Sequence, residues 1–386
     1  MIKRTFWIHQ ISKAFKKRSI VWIAGVRRVG KTTLVKMYPD AIYVNCDLPS
    51  EIRRLRDPES FYDSLPRESV IIFDEVHRTA DPSQLLKIAA DVYPTLKILA
   101  TGSSTLSAIK KFRDSLTGRK FTIYLPPVLW HECLHDFDVK DLDHRLLHGG
   151  LPEPLLAHRK DPSFFAEWID SFYARDIQEL FNIRNRTGFL QLLQLLLRQS
   201  GGLLDYTNLS KMCDLVRPTV KAHIEVMNVA QMIFLLPPFH GGGRREIIAR
   251  PKVYAFDTGF VTYVKGWDVI REDDRGILWE HIVLEMLRTC IQPQDIFYWR
   301  NKSNCEIDFI IKRGNKAVDT IECKINPDQF HSKSLVTFRS IYPKGRNFII
   351  SPLVKTPYQQ KFDHIKVEYH SLSSFPDFNE KMKLMM

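Results

Sequence analysis

The sequence predicts a multidomain α/β protein: a helix-flanked parallel sheet in front, a helical middle, and a second, smaller α/β unit at the end. Three observations predict it. Short apolar runs at 19–24, 70–73 and 96–100 are separated by amphipathic stretches, the pattern of buried parallel strands alternating with helices. Leu190, Leu193, Leu196 and Leu197 form a stripe at helical spacing in the middle of the chain. Beyond residue 290 the two-residue period of strands returns, in 305–311 and 318–324. A chain of 386 residues exceeds one ordinary core, so two or three domains are expected.

The first strand, Ser19 to Ala24, runs directly into Gly25-Val26-Arg27-Arg28-Val29-Gly30-Lys31-Thr32-Thr33, and the start of an amphipathic helix follows. This is G-x-x-x-x-G-K-[ST] in the strand–loop–helix setting that gives the motif its meaning. Glycines let successive backbone N–H groups turn toward phosphate oxygens, and the helix N-terminus adds partial positive charge. In that setting Lys31 reaches the β- and γ-phosphates of ATP, and the Thr32 hydroxyl ligates Mg²⁺.

The run Val70 to Phe73 ends in Asp74-Glu75. Read as the strand beside the phosphate loop, it places Asp74 on the magnesium and its water shell, and Glu75 on the attacking water. A third strand, Leu96 to Ala100, ends in Thr101-Gly102-Ser103-Ser104. There Ser103 either senses the γ-phosphate or caps a strand-end turn. The last strand of the sheet is expected at Phe121–Leu125. Arg119, in the loop before it, can present a guanidinium to a neighbouring subunit of an oligomer, or simply be solvated.

In the middle, the dipeptide Arg175-Asp176 either approaches the nucleotide from the helical side or forms a surface ion pair, and the surface pair is favoured. Residues 203–236 read as a helix–turn–helix followed by a strand, with Pro218 at a first helical position. The strand leads to a basic tip at Gly241-Gly242-Gly243-Arg244-Arg245. In a DNA-reading version Arg217, Thr219, Lys221 and His223 face the groove or its phosphates. The same shape also docks proteins. A local charge of +4 over 198–252 and the Arg244-Arg245 tip favour nucleic acid.

At the end, a helix around 276–287 carries Glu280, and two strands carry Asp308, Glu322 and Lys324. Alternation puts Glu322 and Lys324 on one face. A three-residue loop at 314–316 would set Asp308 opposite Glu322, whereas a two-residue turn would misplace it by one.

These residues, together with Gly149-Gly150-Leu151-Pro152-Glu153, Tyr173-Ala174-Arg175-Asp176-Ile177 and Tyr254-Ala255-Phe256-Asp257-Thr258-Gly259, resemble a bacterial and archaeal group of AAA-type ATPases over nearly the whole chain. The resemblance implies an AAA-type domain at 1–135, a helical lid at 136–197, a winged helix at 198–252, and a PD-(D/E)xK nuclease-like domain at 253–386. It makes Ser103 a sensor and Arg119 the arginine of a Gly-Arg pair. It also makes Asp308 and Glu322 metal ligands, beside Lys324 and the helix carboxylate Glu280.

Composition bounds the rest. The formal net charge of +12 suits a polyanionic partner, and +8 of it lies in residues 1–160. No apolar run approaches the roughly 18 residues of a membrane span, so no membrane role is expected. Six cysteines without a CxxC pair argue against a disulfide framework or a zinc site and fit a cytoplasmic setting.

Overall fold

The computed structural model describes residues 2–102, 116–178, 181, 183, 185–241, 250–314 and 317–376. Ser103, Arg244 and Arg245 lie outside the described residues.

The front sheet has five parallel strands: β1 (Ile20–Ala24), β2 (Ala41–Asn45), β3 (Val70–Asp74), β4 (Lys97–Thr101) and β5 (Lys120–Tyr124). Their order is β2-β3-β4-β1-β5. Every residue of β1 is buried, which is why its sequence is uninterrupted Ile-Val-Trp-Ile-Ala rather than alternating. Its side chains nevertheless divide by parity. Val21 and Ile23 enter the core that contains Phe6, Trp7, Ile11 and Ala14 of the helix Thr5–Phe15. Ile20, Trp22 and Ala24 enter the opposite core, under Phe61, Tyr62, Leu85 and Leu86. Strand β3 is not beside β1 as expected. Strand β4 stands between them, which brings Thr101 at its end beside Asp74.

The middle contains the helices Pro162–Phe172, Arg186–Arg198, Tyr206–Met212 and Arg217–Val229, with a π-helical turn over Tyr173–Gln178. A two-stranded hairpin follows, β6 (Ile233–Leu236) with β7 (Lys252–Ala255). Strand β7 pairs back onto β6, and the helix Thr258–Val264 packs against Leu142–His148 and Arg186–Arg198. Residues 253–264 therefore fold with the middle rather than with the last sheet, contrary to the boundary expected at 253.

The last unit is the long helix Glu272–Cys290 with a six-stranded mixed sheet. Its strands are β8 (Ile296–Arg300), β9 (Glu306–Arg313), β10 (Ala317–Cys323), β11 (Asn347–Ile350), β12 (Tyr358–Phe362) and β13 (Ile365–His370), in the order β12-β13-β11-β10-β9-β8. Strands β9 and β10 are antiparallel with Arg313 opposite Ala317 and Phe309 opposite Ile321. Extended by one residue, that register sets Asp308 opposite Glu322, and the Asp308 carboxylate meets the Cys323 N–H next to it. Among the described residues, no helix is long and apolar enough to cross a membrane.

Candidate nucleotide site and C-terminal carboxylate cluster

The loop between β1 and the helix Lys31–Lys36 is shaped by its two glycines. Gly30 has φ +95°, in the left-handed region that side chains avoid. A Cβ on Gly25 would sit 2.7 Å from the Leu125 carbonyl oxygen. Lys31 Nζ donates across the loop to the carbonyls of Gly25 (2.9 Å) and Val26 (3.0 Å). Burial pulls the Lys31 ammonium below its usual range, so an anion arriving there restores a charge partner that two carbonyls replace only in part. Arg4 braces the loop from outside: Nη1 donates to the Val29 carbonyl (3.1 Å), while Nε bonds Glu132 at 2.7 Å in a buried pair.

The carboxylates form one network with the loop. Thr32 Oγ1 donates to Asp74 Oδ1 (3.1 Å), and the Tyr43 hydroxyl donates to Asp74 Oδ2 (2.7 Å). Thr101, at the end of β4 and fully buried, donates to Asp74 Oδ1 (2.5 Å) and accepts the Glu75 N–H (2.9 Å). A hydroxyl and a carboxylate side by side are the hard oxygen donors that Mg²⁺ takes, so Thr32 and Asp74 fit the ion. Magnesium bound there would neutralise charge on the phosphates. Glu75 has φ +56°, a left-handed conformation rare outside glycine. Its Oε2 lies 3.2 Å from His77 Nδ1. Burial pushes its carboxyl up, but His77 and Lys31 more than offset this and hold it below the usual range.

Around these groups is a cavity of about 860 Å³. Arg27, Arg28, Lys31, Thr32, Thr33, Glu75, Arg175 and Asp176 supply its polar wall, and Ile2, Met37, Phe137, Pro152 and Leu156 offer an apolar surface to a base. Arg175 and Asp176 are not a surface ion pair. Asp176 is buried and lies 3.5 Å from Arg27 of the phosphate loop, while Arg175 is exposed and faces the cavity. Arg28 meets Glu153, also at 3.5 Å.

Arg119 lies away from this cavity. Lys120 is level with Ile20 at the start of β1, so Arg119 sits at the far end of the sheet from the loop after Ala24. Five residues of strand put it roughly 16 Å away. It is held by Asp91, at 2.6 and 3.1 Å.

On the helix Arg217–Val229, Arg217 and Lys221 are exposed and Thr219 is half-buried. His223 is buried, edge-on to Phe189. It shares the face of Val220, Ile224 and Met227 that packs into the core, so it does not face outward with the two cations.

In the last unit, Glu280 is buried and its Oε1 receives Lys252 Nζ (3.2 Å) and the Tyr254 hydroxyl. Asp308 Oδ2 accepts the Cys323 N–H (2.7 Å), and Lys324 Nζ donates to Glu322 Oε2 (3.1 Å). Burial, helped by the charge of Asp308, raises the Glu280 carboxyl to about 7 and that of Glu322 to about 8. The three carboxylates therefore sense one another across the sheet and the long helix.

The sequence pattern of the AAA domain family matches residues 17–134, the segment that carries the phosphate loop, Asp74, Glu75 and Thr101. That match and the five-stranded parallel sheet give the front of the chain the fold of an AAA-type domain. Two domains of unknown function match the remainder, DUF8612 over 139–270 and DUF4143 over 275–368. An uncharacterized protein of Mycobacterium tuberculosis and one of Mycobacterium bovis are each 25% identical over 326 residues, 81% of this chain and 72% of theirs. By structure the chain is similar to a Walker-type ATPase of Pyrococcus abyssi, with 14% identity, a TM-score of 0.43, and coverage of 69% of this chain and 96% of that one. It is also similar to the ORC1 protein of Aeropyrum pernix, solved in complex with DNA, with 11% identity, a TM-score of 0.31, and coverage of 74% and 94%.

Two contributors to the nucleotide site escaped sequence reasoning. The sequence points to Ser103 rather than Thr101, although the apolar run before Thr101 marks where the strand ends. Arg4 is a single arginine far from the motif, and nothing in its surroundings signals the partner Glu132.

Proposed function

We propose that the chain is an ATP-hydrolysing, Mg²⁺-dependent switch that engages DNA through the helices and hairpin at 206–255, read as a winged helix, with a nuclease-like C-terminal unit. The observation that carries DNA engagement is the exposed pair Arg217 and Lys221. They stand one helical turn apart, and among the described residues neither is neutralised by a carboxylate. Two free cations on one helix face suit successive phosphates of a duplex. In the reaction, Lys31 holds the β- and γ-phosphates, Thr32 and Asp74 hold the metal, and Glu75 orients the attacking water. The domains are then 1–135, the lid 136–197, the winged helix from 198, and the C-terminal unit.

Fluorescence anisotropy with a labelled duplex tests this. Affinity should fall steeply with salt, and the doubly reversed Arg217→Glu, Lys221→Glu protein should lose most of it. Salt-independent binding, or no loss in the double variant, refutes DNA engagement. A second reading, docking of a protein partner, is favoured by Met212 and Val216. These two apolar residues are 49% and 68% exposed at the corner before the same helix.

A further inference from the structure

A nuclease-like C-terminal unit implies a divalent cation on Asp308 and Glu322. The residues do not fit one. Among the described residues, no group of three histidine, cysteine, aspartate or glutamate side chains is placed to hold a metal ion. Asp308 already accepts a backbone N–H, and Glu322 is bound by Lys324. The helix carboxylate Glu280 is occupied from outside the unit altogether.

That occupant is Lys252. It lies on β7, in the middle of the chain, and alternation puts Tyr254 on the same face. Both side chains reach Glu280. Lys252 Nζ also lies 2.5 Å from Glu306 Oε1 at the start of β9, and its side chain is only 5% exposed. A buried ammonium survives only where carboxylates surround it. Here two do so directly, and Asp308 adds to the attraction. A divalent ion entering beside Lys252 and Lys324 would meet two fixed positive charges, and its tight oxygen shell would have to displace donors already in place.

We infer that the Lys252 ammonium is the resident cation of this cluster and excludes divalent metal, so that the C-terminal unit engages its partner without cutting it. This rests on the nuclease-like reading above. Mn²⁺ binding to nucleotide-free, full-length protein, followed by electron paramagnetic resonance, tests it. Wild type should show no saturable site that responds to Asp308→Asn. Lys252→Met should gain one, at least tenfold tighter than any wild-type binding, and adding Asp308→Asn should abolish it. Lys252→Gln keeps a donor for Glu280 without the charge, and provides the same comparison if the methionine variant does not fold. The wild-type titration is informative whatever the variants do. An Asp308-dependent Mn²⁺ site in wild type overturns the role of Lys252 and leaves the nuclease-like reading standing. Folded Lys252 variants that gain no site overturn both.

Discussion

Replacing Thr101 by valine keeps the shape of a fully buried side chain and removes only its hydroxyl. Two bonds go with it. One is the donation to Asp74 Oδ1, a charge-assisted bond worth about 2 kcal/mol. The other leaves the Glu75 N–H unsatisfied, at a further cost of about 1 kcal/mol or more. Folding stability should therefore fall by about 3 kcal/mol, read from the urea midpoint. The hydroxyl also ties the Asp74 carboxylate to the Glu75 backbone N–H through one atom, and Glu75 is held there in a left-handed backbone conformation. If the positioning that this bond supplies is worth about 2 kcal/mol in the transition state and nothing in the bound ground state, losing it lowers kcat about thirtyfold. Steady-state ATPase assays at saturating Mg-ATP measure this, with Thr101→Ser as the control that restores the hydroxyl. A Thr101→Val protein with wild-type kcat and an unchanged urea midpoint would refute the reasoning, as would a serine variant that rescues nothing.

Other expectations follow from the same geometry. Lys31→Ala should lose ATP binding in an equilibrium assay, whereas Glu75→Gln should bind ATP and stall before hydrolysis; wild-type turnover by Glu75→Gln would remove it from the role of orienting water. Arg119, at the far end of its own sheet, can serve only a neighbouring subunit, so mixing Arg119→Ala with Lys31→Ala protein should restore part of the ATPase rate, and no recovery in verified mixed oligomers would deny it that role. Glu280 and Glu322 hold their protons to about 7 and about 8 in the folded protein, above the usual carboxylate value, so folding takes up protons between about pH 4.5 and 8 and their contribution makes stability fall as pH rises through that window. Urea midpoints at pH 5.5 and 8 should differ less in Glu280→Gln than in wild type, and an unchanged difference would contradict the burial argument.

The front of the molecule was legible because its chemistry is local. A fully buried parallel strand is written as an unbroken apolar run, and the phosphate loop needs its glycines and lysine at fixed spacing. Strand β2 was not anticipated, since Ala41-Ile42-Tyr43-Val44-Asn45 is mostly half-buried and carries neither a clean run nor alternation. Strand order was illegible for another reason. Nothing in β3 or β4 says which one lies against β1, and so the position of Thr101 beside Asp74 could not be read. His223 belongs to the core by periodicity: Val220, His223, Ile224 and Met227 repeat at three and four residues, which marks a buried face. Lys252 could not have been found, because its partners lie 28 and 54 residues away in another unit.

The two glycine-containing landmarks acquire a physical meaning when taken together. Gly150 donates its N–H to Asp257 Oδ2 (2.6 Å), and a Cβ on Gly149, at φ +81°, would fall 2.0 Å from Asp257 Oδ1. Asp257 also accepts the Gly259 N–H (2.8 Å), so the segments 149–153 and 257–259 are locked by one buried carboxylate. Beside it, Arg145 donates to Thr258 Oγ1 (3.2 Å) and to Glu285 of the long C-terminal helix (2.7 Å), with no side-chain exposure of its own. The other end of the first segment, Pro152 and Glu153, lines the nucleotide cavity. The segment at the cavity wall thus has its opposite side tied to the C-terminal helix through a buried ion pair. Breaking such a pair by removing one partner costs about 3–5 kcal/mol, so Arg145→Ala should lower the urea midpoint sharply.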